Sequence, residues 1–61
     1  MKTNQQLYVI KLAGKFVAGD EIYAGLPTQM CFDIVDAKKY DEIRANELIE
    51  AYCIKAKLIE V

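Results

Sequence analysis

The sequence predicts a small α+β domain with the element order β-β-β-α-β, in which one helix packs on one face of a mostly antiparallel sheet. Two observations predict this class. Short runs rich in Val, Ile, Tyr and Phe occupy the first half of the chain and its end, as is typical of strands. A single later segment repeats its apolar residues at helical spacing. The chain has 61 residues and no internal repeat or linker, so we expect one domain over 1–61.

A β-hairpin is the first predicted element. Residues 6–12 form its first strand, and residues 16–18 begin its second strand. The connection 13–15 contains Gly14, which adopts the positive φ of tight turns without a steric penalty. The polar residues 1–5, which precede the hairpin, are expected to fray.

An irregular segment, residues 19–29, follows the hairpin. Residues 22–23 are interpreted as an extension of the second strand past a bulge at Gly19, because a glycine inside a strand pattern often marks one. Residues 29–35 then predict the third strand. Segment 19–29 is either the best-placed loop for recognition of a ligand or a plain connection between two strands.

The helix is predicted over residues 42–53. Asp41 is its expected N-cap, because a carboxylate there accepts hydrogen bonds from the free N–H groups of the first turn. The preceding segment 36–40 is either an earlier helical turn capped by Asp36 or a short extended stretch. Residues 54–61 predict a last strand that returns beside the hairpin. The apolar stripe of the helix is formed by Ala45, Leu48, Ile49 and Tyr52.

The first and last strands are apolar on both faces, although a single helix covers only one face of a sheet. A sheet with one face in water should alternate apolar and polar residues. A chain of this size also buries only about 60% of its unfolded surface. We therefore predict a homo-oligomer in which a second copy covers the open face. Its expected interface residues are Leu7, Val9, Val17, Ile59 and Val61.

Ile43 falls on the outer face of the predicted helix, away from the apolar stripe. It is either a lone exposed apolar residue, which is ordinary on protein surfaces, or a contact to a partner protein. Such a partner would dock on this helix face or pair with an open strand edge.

The composition argues against several classes of function. The chain has no His, Ser or Trp, so Ser-His and Cys-His catalytic pairs cannot form. No phosphate-binding glycine motif or metal-ligand pattern is present, so we expect no enzyme activity, cofactor or metal. The net charge of −1 and the lack of a long apolar run predict neither nucleic-acid binding nor membrane insertion. Cys31 and Cys53 lack CxxC spacing and are interpreted as reduced, buried apolar residues of a cytoplasmic protein.

Lysines and tyrosines indicate a candidate ligand class. If the last strand pairs with the first, Lys11 approaches Lys55 or Lys57. Lysine charges combined with aromatic faces hold nucleotide-like anions by attraction and stacking. The alternative is that lysines on edge strands block unwanted sheet growth. The residues expected to contact the ligand are Tyr8, Lys11, Asp20, Tyr23, Thr28, Gln29, Lys55 and Lys57.

Four segments carry a resemblance: Tyr8-Val9-Ile10-Lys11, Lys15-Phe16-Val17, Asp36-Ala37-Lys38-Lys39-Tyr40-Asp41 and Lys57-Leu58-Ile59-Glu60-Val61. They are similar to short β-β-α-β proteins encoded by bacteriophages and prophages, over most of the chain. Those proteins usually have a glycine between the helix and the last strand, where this chain has Tyr52-Cys53-Ile54. Some of them antagonise host defence, by blocking a defence protein or by sequestering a nucleotide-derived signal as an oligomer.

The resemblance and the missing catalytic residues lead to one expectation for function. The chain is expected to be a non-catalytic, homo-oligomeric protein of the host-cell cytoplasm that sequesters a nucleotide-derived signalling molecule. One alternative is an inhibitor that binds a host defence protein through its outer helix face or a sheet edge. Another is a structural or assembly component.

Overall fold

The computed structural model describes residues 6–61, and the expectation that residues 1–5 fray lies outside that range. Four strands form an antiparallel sheet in the order β5-β2-β1-β6, while β3 and β4 pair only with each other. One α-helix, α1, packs on β1. The α+β prediction is therefore confirmed. In chain order the elements are β1 (Tyr8–Leu12), β2 (Lys15–Val17), β3 (Ile22–Tyr23), β4 (Leu26–Pro27), β5 (Met30–Cys31), a 3-10 helix (Ile34–Asp36), α1 (Glu42–Ala51) and β6 (Lys57–Glu60).

The first hairpin closes through a two-residue turn. Ala13 and Gly14 have φ values of 55° and 81°, the left-handed conformation that matches the twist of paired strands. Leu12 pairs directly with Lys15, so Lys15 belongs to the second strand rather than to the connection. The predicted hairpin is otherwise confirmed.

A second hairpin of the same type occupies the segment predicted to be irregular. Ala24 and Gly25 have φ values of 56° and 77°, and they join β3 to β4. Ile22 and Tyr23 therefore do not extend the second strand past a bulge, because their partners are Pro27 and Leu26. The repeated Ala-Gly pair was the sequence signal for this turn.

The third strand is much shorter than predicted. It ends at Cys31, and the Asp33 side chain accepts a hydrogen bond of 3.2 Å from the Val35 N–H to begin the 3-10 helix. The helical turn in this region is thus capped by Asp33 and not by Asp36. Tyr40 then pairs with Tyr8 through two backbone hydrogen bonds of 2.8 Å, so the end of segment 36–40 is extended.

The helix begins where its cap predicts. The Asp41 carboxylate accepts a hydrogen bond of 2.8 Å from the Arg44 N–H. The helix ends at Ala51, two residues before the expected end, because Tyr52 has extended backbone angles of −78° and 145°. The last strand, 57–60, is shorter than the expected 54–61 and pairs antiparallel with β1 as predicted.

The core lies between α1 and one face of the sheet. Ile10 and Leu12 of β1 and Val17 of β2 meet the buried helix residues Ala45 and Leu48 there. Val9 alternates with these residues and so points to the other face, yet it is 0% exposed, as is Val17. Neither side chain presents surface to a second copy, because the single chain already covers both.

The remaining predicted interface residues keep some exposure. Leu7 and Ile59 are half-buried, and Val61 is exposed. The most exposed large apolar side chains instead belong to Phe32, Tyr23, Ile43 and Val35, of which only Ile43 was expected to contact a partner. Self-association stays a prediction, and these exposed residues are its most accessible surface.

Tyr40 ties the extended segment to the core. Its hydroxyl donates a hydrogen bond of 2.7 Å to the Gly19 carbonyl, and its side chain is buried. Burial, followed by the nearby Asp20 carboxylate, raises the pKa of Tyr40 to about 12. Burial also raises the pKa of Tyr52. Both hydroxyls therefore lose their protons at a higher pH in the folded chain than in the unfolded chain.

We expect the free energy of unfolding to fall as pH rises from about 10 to about 12. In that interval the unfolded chain has released the Tyr40 proton while the folded chain retains it, so alkali favours unfolding. Below pH about 10 the contribution is fully present. Tyr40 should account for up to about 2 kcal/mol of the fall, measured by urea unfolding at a series of pH values.

Phenylalanine variants identify the source of this pH dependence. Tyr40→Phe should reduce the alkaline fall, and it should also cost about 1–2 kcal/mol at neutral pH through the lost hydrogen bond. Tyr23→Phe is the matched control, because Tyr23 is 78% exposed and should leave both quantities unchanged. An alkaline fall of the same size in Tyr40→Phe and the wild type would contradict this assignment.

Candidate functional site

The candidate site is a lysine-lined cleft at the turn end of β1 and β6. Antiparallel pairing places Lys11 directly opposite Lys57, and Lys55 lies two residues before Lys57 in the chain. The cleft has a volume of about 390 Å³, within the range typical of small-molecule sites. Its lining residues are Lys11, Ala13, Gly14, Lys55, Ala56 and Lys57, and we call it the three-lysine cleft.

None of the cleft lysines forms an ion pair within residues 6–61. The two ion pairs in this part of the chain join Lys38 to Asp20 and Arg44 to Glu47, and neither uses a cleft lysine. Like charges directly opposite each other on paired strands are destabilising, by a few tenths of a kcal/mol up to about 1 kcal/mol. The Lys11–Lys57 pair is therefore a local cost that a bound anion would offset.

Small residues leave room between the lysines. Ala13, Gly14 and Ala56 contribute no side chain larger than a methyl group to the lining. In the described part of the chain, the N–H groups of Ala13 and Gly14 donate no hydrogen bond to a backbone or side-chain acceptor. The turn therefore adds unused donors to a site that already carries positive charge.

The structure brings together only part of the predicted ligand set. Lys11, Lys55 and Lys57 share the cleft. Tyr8 lies at the other end of β1 and points to the opposite face, where it packs against the core. The remaining four residues, Asp20, Tyr23, Thr28 and Gln29, belong to segment 19–29 and do not line the cleft.

Segment 19–29 is held in place by contacts with other parts of the chain. The Cys53 N–H donates a hydrogen bond of 2.7 Å to the Gly25 carbonyl, and the Ala18 N–H donates one of 2.8 Å to the Gln29 carbonyl. Asp20 forms a 2.8 Å ion pair with Lys38. Of the predicted ligand residues in this segment, Asp20 thus uses its side chain and Gln29 its backbone carbonyl in these contacts.

The structure also shows the surroundings of the two cysteines and of Ile43. Cys53 is exposed and Cys31 is half-buried, so neither is the fully buried residue that was expected. Cys53 instead supports the Gly25 turn, because its N–H donates a hydrogen bond to the Gly25 carbonyl. Ile43 is 75% exposed, in agreement with its predicted place on the outer helix face.

Sequence reasoning missed Ala13, Gly14 and Ala56 as part of the site. Alanine and glycine carry no chemical signature, and their importance here is the space they leave open. The only signal was positional, since both Ala13 and Gly14 belong to the turn beside Lys11. Ala56 lies between Lys55 and Lys57 and could be placed only once the register of β6 was known.

The lysine side chains that line the cleft carry ammonium groups, which attract anions. Its six lining residues include no carboxylate, hydroxyl, thiol or imidazole. Within residues 6–61, no three acidic or cysteine side chains group together as metal ligands. Nor does any helix of that range have the length and apolar character to cross a membrane.

No family model, curated protein or solved structure gives a significant match to this chain.

Proposed function

We propose that this chain is a non-catalytic binding protein that holds a phosphate-bearing small molecule in the three-lysine cleft. The observation that carries the proposal is the direct pairing of Lys11 with Lys57, with Lys55 lining the same cleft and no carboxylate paired to any of them in residues 6–61. A ligand with two or more negative charges relieves the repulsion among the lysines and gains their attraction.

The position of Lys11 argues against the alternative that these lysines only block sheet growth. Lys57 belongs to the edge strand β6, where a lysine discourages pairing with another chain. Lys11 belongs to β1, which has a neighbouring strand on each side and offers no edge to protect. Edge protection thus accounts for Lys57 but leaves Lys11 unexplained.

The proposed ligand is a small molecule rather than a nucleic acid. The whole chain has a net charge of −1, so it lacks the broad positive field that attracts a polyanionic backbone. A nucleotide-derived signalling molecule carries phosphates in a compact form and fits the size of the cleft. In a phage-type protein, binding would sequester that signal and so antagonise the host defence that depends on it.

We expect Lys57→Gln to weaken binding of ATP or ADP-ribose by about fivefold, because one cation near an exposed phosphate contributes about 1 kcal/mol. Lys11→Gln combined with Lys57→Gln should reduce binding by more than tenfold. The measurement is isothermal titration calorimetry at low ionic strength, where screening is weakest. Circular dichroism checks that each variant remains folded.

Lys39→Gln is the matched control for this titration. Lys39 is exposed and lies near the end of β1 opposite the cleft, next to the Tyr40 that pairs with Tyr8. It changes the net charge by the same amount and should leave the affinity within about twofold of the wild type. An equal loss in Lys39→Gln, or no binding of any nucleotide by the wild type, would remove the basis of the proposal.

A second candidate function is binding of a host protein, which the exposed Ile43 favours. An isoleucine on the outer helix face offers an apolar anchor for a partner. Ile43→Asp distinguishes the two candidates. It should leave nucleotide binding unchanged in the titration, because Ile43 does not line the cleft, whereas it should weaken binding of a partner protein.

A further inference from the structure

We infer that the three-lysine cleft recognises phosphate charge and is indifferent to the base, so that an inorganic polyphosphate binds as well as a nucleotide with the same number of phosphates. This inference rests on the proposed function and deepens it. It also departs from the expectation drawn from the sequence, in which tyrosine rings stack on the ligand.

No aromatic ring lines the cleft. Tyr8 points to the opposite face of the sheet, and Tyr23 belongs to the β3–β4 hairpin. Phe16 is a cross-strand partner of Lys11, but it lies on the β2 side, away from Lys57. The Lys15 ammonium lies 5.3 Å from the centre of the Phe32 ring, so Phe32 contacts a lysine that is not part of the cleft. A base in the cleft would therefore lack the stacking partner that usually binds it.

No side chain in the lining can read a base edge or a ribose, which leaves the backbone N–H groups of Ala13 and Gly14 as the directional donors there. Such contacts use amide, hydroxyl or carboxylate side chains, which accept or donate hydrogen bonds in fixed directions. The lining side chains end in ammonium or methyl groups, or are absent at Gly14. An ammonium group is a compact charge that attracts phosphate without a required orientation. The cleft therefore selects ligands by their number of negative charges.

The three lysines start close to one another. Residues directly opposite on antiparallel strands, such as Lys11 and Lys57, have Cβ atoms about 5 Å apart. Lys55 precedes the strand by two residues, and two residues of chain span at most about 7 Å. The stems of Lys11, Lys55 and Lys57 thus start close enough to converge on one short chain of phosphates. A triphosphate engages more of them than a single phosphate does.

The test compares two matched series by titration calorimetry without divalent metal ions. One series is phosphate, pyrophosphate and tripolyphosphate, and the other is AMP, ADP and ATP. We expect tripolyphosphate and ATP to bind within about threefold of each other, and affinity to fall along both series as phosphates are removed. Adenosine should not bind. Lys55→Gln should weaken tripolyphosphate and ATP by the same factor.

Two outcomes would overturn the inference, and they are distinguishable. If ATP binds more than about tenfold tighter than tripolyphosphate, the base is recognised and the inference is wrong while the proposed function stands. If neither series binds the wild type at low ionic strength, the proposed function itself fails. Weakening of binding between about 0.02 M and about 0.15 M salt supports recognition by charge.

Discussion

Leu48→Ala is expected to lower the free energy of unfolding by about 3 kcal/mol, the typical cost of removing a fully buried leucine side chain. Leu48 is 2% exposed and lies in the cluster that joins α1 to β1. Alanine leaves a cavity there that a small core has few neighbours to fill. A chain of this length has a total stability of only several kcal/mol, so the variant should be largely unfolded in mild urea.

Ile43→Ala is the matched control on the same helix. Ile43 is exposed, and its truncation should cost less than about 0.5 kcal/mol in a single chain. Urea unfolding followed by circular dichroism measures both variants. Leu48→Met, which keeps most of the volume, should cost less than about 1.5 kcal/mol and keeps the comparison usable if the alanine variant does not fold. Equal costs at Leu48 and Ile43 would contradict a core formed within one chain.

Gly25→Ala is expected to cost about 2–3 kcal/mol, the second largest effect. Gly25 has a φ of 77°, and a Cβ added there would lie 2.9 Å from the Cys53 Cβ and 3.3 Å from the Cys53 backbone nitrogen. Left-handed backbone alone costs alanine roughly 1 kcal/mol. The contact adds to it, because the Cys53 N–H also donates the 2.7 Å hydrogen bond to Gly25 and cannot move away freely.

Gly14 supplies a control of the same backbone type. It has a φ of 81° in an equivalent Ala-Gly turn, and a Cβ there would meet nothing within 4 Å. Gly14→Ala should therefore cost only the backbone term, about 1 kcal/mol. Thermal and urea unfolding measure the loss of unfolding free energy in each variant, and the difference between the two losses is the cost of the Cys53 contact. Equal costs at Gly14 and Gly25 would show that the Gly25–Cys53 contact is not rigid.

The helix and the first hairpin were predictable because their signals are local. Asp41 caps the helix through groups only three residues apart, and the stripe that contains Leu48 follows from helical spacing. The conformation of the Ala13-Gly14 turn likewise depends on these two residues, and the turn brings β1 and β2 into register. Local geometry of this kind does not depend on how the rest of the chain packs.

The middle of the chain was mispredicted because competing signals were equally local there. Segment 29–35 alternates its side chains like a strand, but Asp33 stops the strand by accepting a hydrogen bond from Val35. The β3–β4 hairpin has a local Ala-Gly signal, but its turn also accepts a hydrogen bond from the Cys53 N–H, far along the chain. A contact at that sequence distance leaves no periodic pattern in the segment itself.

The α+β class, the capped helix and the return of the last strand beside the first could be predicted from the residues alone. The folded chain was needed to show that Val9 is covered by its own chain and that Lys11 lies opposite Lys57 while the tyrosines lie elsewhere. The physical reason is strand register. A shift by one residue turns every side chain of a strand to the other face, and register is fixed by the packing of the whole chain.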